Sequence, residues 1–127
     1  MTPRQVVERY LSDILRGGGD PASADEVVAS PELRQRGDRL LSAFPDLELR
    51  TVVLLAEGDL VACHVVGRGT HLGLYQGVPA TGKAWEAHCT AVYRVEEARI
   101  AEAWVTWDNL SLLEQLEAVV RAATVSA

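Results

Sequence analysis

The chain has 127 residues, 48% hydrophobic and 24% charged, with a formal net charge of -6 and a pI near 5.0. That suffices for one domain with a real core and no need of disulfides or metal. The acidic balance and the lack of any Lys/Arg block argue against nucleic acid as a partner, and no apolar run approaches the roughly 20 residues of a membrane span.

The first half reads helical. Thr2-Pro3-Arg4-Gln5 offers a cap, a proline at the first helical position and a Gln that can reach back to the cap. Val7, Tyr10, Leu11, Ile14 and Leu15 then follow the spacing of a one-faced helix, stopped by Gly17-Gly18-Gly19-Asp20-Pro21. No secretory leader is expected ahead of this pattern. Ser23-Ala24-Asp25-Glu26 resembles a second capping box, opening a short helix that Pro31 ends. Ser30-Pro31 starts a third, with Leu33, Gly37, Leu40, Leu41 and Phe44 on one stripe, closed by Pro45.

The second half reads as strands. Residues 47–56 and 60–69 flank the hairpin signal Glu57-Gly58-Asp59, and residues 85–95 and 99–107 flank Glu96-Glu97-Ala98. A Gly- and Pro-rich loop runs from Thr70 to Lys83. A closing helix is expected from near Ser111, with Leu112, Leu113, Leu116, Val119 and Val120 as its apolar side and a frayed tail from Ala122. Helices followed by meandering antiparallel strands predict an α+β fold, a curved sheet with helices on one face. The domain is expected to span residues 1–127, with a core over about 3–121. Cys63 and Cys89 lack CxxC spacing and read as reduced core thiols of a cytoplasmic protein.

The stretch Gly69-Thr70-His71-Leu72-Gly73-Leu74-Tyr75-Gln76-Gly77-Val78-Pro79-Ala80-Thr81-Gly82-Lys83 closely resembles a signature of SnoaL-like polyketide cyclases. So does the passage from Trp107-Asp108 to Leu112-Leu113-Glu114-Gln115-Leu116, and Ala43-Phe44-Pro45-Asp46 and Ala56-Glu57-Gly58-Asp59 also fit. The resemblance spans roughly residues 31 to 120. It implies the cone-shaped fold of nuclear transport factor 2 (NTF2-like), with N-terminal helices over a deep pocket. It also implies an apolar carbonyl substrate, no cofactor and a homodimer through the outer sheet face. Departures accompany the likeness. Where relatives carry a histidine on the third strand, this chain has Ala91, and the nearest histidine is His88. The odd offset puts His88 on the opposite strand face unless a bulge intervenes.

In family cyclases the aspartate matching Asp108 moves a proton in an intramolecular aldol ring closure. An acid held against apolar walls suits that role. Asp108 can equally cap the last helix, although Ser111-Leu112-Leu113-Glu114 supplies another capping box. In a regular strand Trp104, Thr106 and Asp108 share one face and Val105 and Trp107 the other. Trp104 and Thr106 are therefore candidate substrate contacts. His88 and His71 are candidate partners of Asp108, with loop fixing the alternative for His71. His64 is expected on the outer or dimer face. Tyr10, Tyr75 and Tyr93 are candidate pocket phenols, with core packing the commoner fate of such rings.

The loop glycines lack P-loop spacing, and no H-E-x-x-H or clustered His/Cys ligand set appears, so no metal is expected. The expected function is cofactor-independent cyclisation in small-molecule biosynthesis. Its alternatives are another reaction in the same pocket (epoxide hydrolysis, isomerisation or help to a hydroxylation) or a non-catalytic binding module. Epoxide opening calls for a second carboxylate and an arginine in the pocket, for which Arg68 and Glu86 are the candidates.

Overall fold

A computed structural model describes residues 1–19 and 21–118. Four helices, α1 (Pro3–Arg9), α2 (Pro21–Val27), α3 (Pro31–Ala43) and α4 (Asn109–Gln115), accompany one antiparallel sheet. Its strands β1 (Glu48–Glu57), β2 (Leu60–Thr70), β3 (Ala84–Glu96) and β4 (Arg99–Trp107) pair in sequence order. This is the expected α+β curved sheet with helices on one face. The apolar side read for Val119 and Val120, the frayed tail and the core limit at 121 lie outside the described residues. Among the described residues, no helix is long and apolar enough to cross a membrane.

The helix starts follow local chemistry. The Thr2 hydroxyl accepts from Gln5 N–H and the Gln5 side chain accepts from Thr2 N–H, so α1 opens on a complete capping box. Ser30 caps α3 ahead of Pro31. After Arg9 the first helix widens into a π-helical turn over Tyr10–Ile14, closed by Leu15 N–H donating to Tyr10 C=O. Tyr10, Leu11, Ile14 and Leu15 are all buried there. Two starts differ from expectation. The short second helix begins at Pro21, so Ser23 lies inside it. The last helix begins at Asn109 with Asp108 as its cap, which leaves the Ser111 box unused.

The sheet buries one face. Val61, Cys63 and Val65 of β2, Trp85, Ala87, Cys89, Ala91, Tyr93 and Val95 of β3, and Ile100 of β4 join helix residues Val6, Val7, Leu11 and Leu15 in the core. Gly67 belongs to this inner row, and a Cβ there would come within 2.6 Å of the Trp107 ring, so its bare backbone makes room for the indole. The β3–β4 turn places Glu97 and Ala98 at φ 51° and 61°, both left-handed without a glycine. Ala98→Gly should therefore stabilise the fold by about 0.5–1 kcal/mol, read as a raised midpoint in chemical denaturation with an unchanged slope.

Candidate active site

Between α3, the π-helical turn and the inner sheet face lies a cavity of about 880 Å³, within the range of small-molecule sites. Its walls are mainly apolar: Leu11, Leu15, Leu33, Leu40, Leu49, Val65, Val105 and Trp107. Among the described residues no Asp, Glu or His lines it, and its charged lining is Arg36 and Arg39 of α3.

The loop between β2 and β3 forms one wall. Leu72 and Gly73 N–H groups both donate to the Ala43 carbonyl at the end of α3. A side chain on Gly73 would collide with the Ser42 carbonyl, so glycine permits this approach. Tyr75 and Val78 exchange backbone hydrogen bonds around Gln76 and Gly77, whose positive φ angles make a tight turn. That turn aims three polar groups at one another. The Tyr75 hydroxyl donates to Asn109 Oδ1 at 2.6 Å, Asn109 Nδ2 to Gln76 Oε1 at 2.9 Å, and Gln76 Nε2 to the Tyr75 oxygen at 3.3 Å. All three residues line the cavity. Burial raises the pKa of Tyr75, so it stays a proton and hydrogen-bond donor near neutrality.

Tyr10 and Tyr93 also reach the cavity and pack edge to face, 5.9 Å between ring centroids. Burial raises both phenols, an effect that the nearby Arg36 charge partly offsets. Cys89 lines the cavity too, and burial followed by the proximity of Cys63 pushes its thiol up to about 12. Both cysteines are free and buried, and Cys89 is an inert wall rather than a nucleophile.

From Trp104 to Trp107 the strand parity expected for β4 holds, although the strand carries a register shift after Ile100 and ends before Asp108, and the cavity lies on the other side. Cys89 pairs with Trp107 and Ala91 with Val105, so Val105 and Trp107 face inward. Trp104 is 51% exposed on the outer face and is not a cavity wall. Thr106, opposite Thr90 in the outer row, still borders the cavity. Asp108 is exposed, outside the lining, and its Oδ1 accepts from Ser111 N–H at 3.2 Å as the cap of α4. Its N–H donates to the His88 carbonyl at 2.8 Å, so the two residues sit side by side across the strands. His88 is exposed, and its Nδ1 lies 2.9 Å from His64 Nε2 on the outer face, as foreseen for His64. Ala91 is buried in the inner row, where a histidine would have pointed inward.

His71 does not line the cavity either. It is fully buried, and its Nδ1 receives Thr81 N–H at 3.2 Å, which assigns the ring proton to Nε2. Nε2 has no hydrogen-bond partner among the described residues, and the ring packs beside Phe44. With its N–H donating to Lys83 C=O and its C=O accepting from Gly82 N–H, His71 clamps the two ends of the loop. The groups that sequence reasoning missed are Asn109, Gln76, Arg36 and Arg39. The legible signal was small: Arg36 and Arg39 flank Gly37 on the α3 stripe, and Asn109 follows Asp108.

The family model for SnoaL-like polyketide cyclase matches residues 9–116. The chain belongs to the SnoaL-like polyketide cyclase family. A search of curated proteins finds no match. Among solved structures, TsrD from Streptomyces laurentii is 26% identical, with a TM-score of 0.78 over 91% of this chain and 94% of that one. IdmH from Streptomyces antibioticus, a candidate polyketide cyclase, is 26% identical with a TM-score of 0.75, covering 92% and 99%. AclR from Streptomyces galilaeus, a candidate hydroxylase, is 29% identical with a TM-score of 0.64, covering 78% and 64%. The fold is thus the NTF2-like cone of SnoaL proteins.

The loop anchor makes its own prediction. Asp46 accepts from Thr70 Oγ1 at 2.7 Å and from Thr70 N–H at 2.8 Å, and these bonds, the hydroxyl's first, hold its carboxyl below the usual range. A depressed folded pKa contributes stability above the unfolded value near 3.8, lost as pH falls through the folded one. The stability gap between wild type and Asp46→Ala should therefore be present at pH 7 and close below pH about 4, as followed by thermal melts across pH. Asp46 is largely exposed, so the gap should be small.

Proposed function

We propose that this protein closes a ring in a polyketide-type carbonyl substrate without a cofactor. The observation that carries the reading is the large apolar cavity with one concentrated polar group, the Tyr75–Asn109–Gln76 ring, in a chain of the cyclase family. In an intramolecular aldol closure, a base takes the proton from a carbon beside one carbonyl. The resulting enolate carbon bonds to a second carbonyl carbon, whose oxygen then takes up a proton. No oxidant is consumed. Tyr75 would donate a hydrogen bond to the developing oxyanion by turning its hydroxyl away from Asn109 Oδ1.

Asp108 is the proposed base. Among the described residues two carboxylates are flanked on both sides by lining residues, Asp38 and Asp108. Asp38 is ion-paired with Arg34, whereas Asp108 holds a single cap bond. Its ψ of 75° also marks the end of strand alternation. The role requires the carboxylate to leave Ser111 N–H and turn past Trp107 toward the cavity.

Asp108→Asn is a clean test because asparagine caps a helix as well as aspartate. With linear poly-β-ketone substrates and chromatographic detection of the ring product, turnover should fall by about 100-fold or more while the melting temperature stays put. Tyr75→Phe should cost about ten- to a hundredfold. Wild-type turnover in Asp108→Asn would remove Asp108 from the reaction, and no ring product from any such substrate would end the cyclase reading. A second reading, help to a hydroxylation, rests on the likeness to AclR and requires a product that has gained oxygen. Epoxide opening lacks support, since Arg68 pairs with Glu48 and neither Arg68 nor Glu86 lines the cavity.

The proposed assembly is a homodimer through the outer sheet face. That face leaves Val53, Leu55, Leu60 and Trp104 exposed, an apolar patch with no cover in the monomer. Trp104→Glu should shift the protein to monomer in analytical ultracentrifugation, and a wild type that sediments as a monomer refutes the dimer.

A further inference from the structure

We infer that the cavity takes ligands bearing a carboxylate, seated on Arg36 and Arg39 at its mouth; this deepens the small-molecule reading of the same cavity. The two arginines stand one helical turn apart on α3, both line the cavity and both are exposed, so they mark its opening to solvent. Their neighbour Arg34 is tied to Asp25 and Asp38. Among the described residues, Arg36 and Arg39 make no ion pair and no side-chain hydrogen bond is found for either. Glu32, one turn before Arg36, does not engage it.

The Arg36 charge also reaches inward, as a lesser influence than burial. It acts on Tyr10, Tyr93 and Cys89, groups carried by the first helix and by β3. No carboxylate in the lining neutralises it. The polar groups of the opposite wall donate to one another in a closed ring, so the guanidinium groups are the uncommitted charged donors of the site. A protein of net charge -6 repels anions at long range, yet its cavity carries two local positive charges. Guanidinium matches a carboxylate in two parallel hydrogen bonds, a geometry that a neutral ester or amide cannot reproduce. The acidic end of a ligand would rest at α3, and its apolar body would run inward toward Trp107.

A matched pair of probes tests this directly: anthraquinone-2-carboxylate and anthraquinone-2-carboxamide, titrated while following tryptophan quenching, to which cavity-lining Trp107 contributes. Wild type should bind the carboxylate about tenfold more tightly, with the preference shrinking as salt is raised. In the Arg36→Gln/Arg39→Gln double variant the two dissociation constants should converge, the carboxylate's weakening far more than the carboxamide's. Equal binding of the two probes by wild type overturns the carboxylate seat and leaves the cavity reading standing. A preference that survives in the double variant overturns it as well, because the anion is then held elsewhere. Binding of neither probe overturns both the seat and the small-molecule reading.

Discussion

The register between β3 and β4 governs everything at this site. Pairing Cys89 with Trp107 sends Val105 and Trp107 under the helices and leaves Trp104 on the opposite face. A shift of one residue would exchange the two sets, because side chains alternate along a strand. The register is held by burial of Tyr93, Ala91 and Cys89 on the inner side, and a register shift between Arg94 and Val95 lets Ile100 turn inward as well. Gly67 then leaves room for the Trp107 ring to lie across β2. The cavity is what remains between that floor and α3.

The loop after β2 is the second determinant. It is pinned at its start by Asp46 on Thr70, across its ends by His71, and midway by the Ala43 carbonyl at the end of α3. With both ends and the middle held, the Tyr75–Val78 turn has little choice of position. Tyr75 is delivered to Asn109, the first residue of α4, and Gln76 completes the ring. A glycine-rich segment that could pass for a flexible connection is thus a rigid wall carrying the polar chemistry of the cavity. His71 serves this wall from within the core.

Much of the fold was legible because its local signals agree with one another. Thr2 and Ser30 cap the helices their sequences announce, and the alternating strands lie within a residue or so of expectation. The start of α4 was ambiguous for a local reason: Asp108 and Ser111 each offer a cap, and the earlier one is used. The site was harder to read. Tyr10, Tyr75, Tyr93 and Thr106 border the cavity, whereas Asp108, Trp104, His88 and His71 lie outside its lining.

The sequence alone determined the α+β order of elements, the family signatures, and that Trp104 and Thr106 share a strand face, because propensity, caps and alternation are local. It did not contain which face of β4 turns inward, since Ile100 and Trp104 share parity and a register shift between them leaves only Ile100 inside. Only the packed structure decided that, by putting the inner row of β3 against the first helix. It also joined Tyr75, Gln76 and Asn109, which lie 33 to 34 residues apart across the ring, and set Arg36 and Arg39 over the same cavity. Such meetings depend on how the loop and α3 are docked, and no local pattern encodes them.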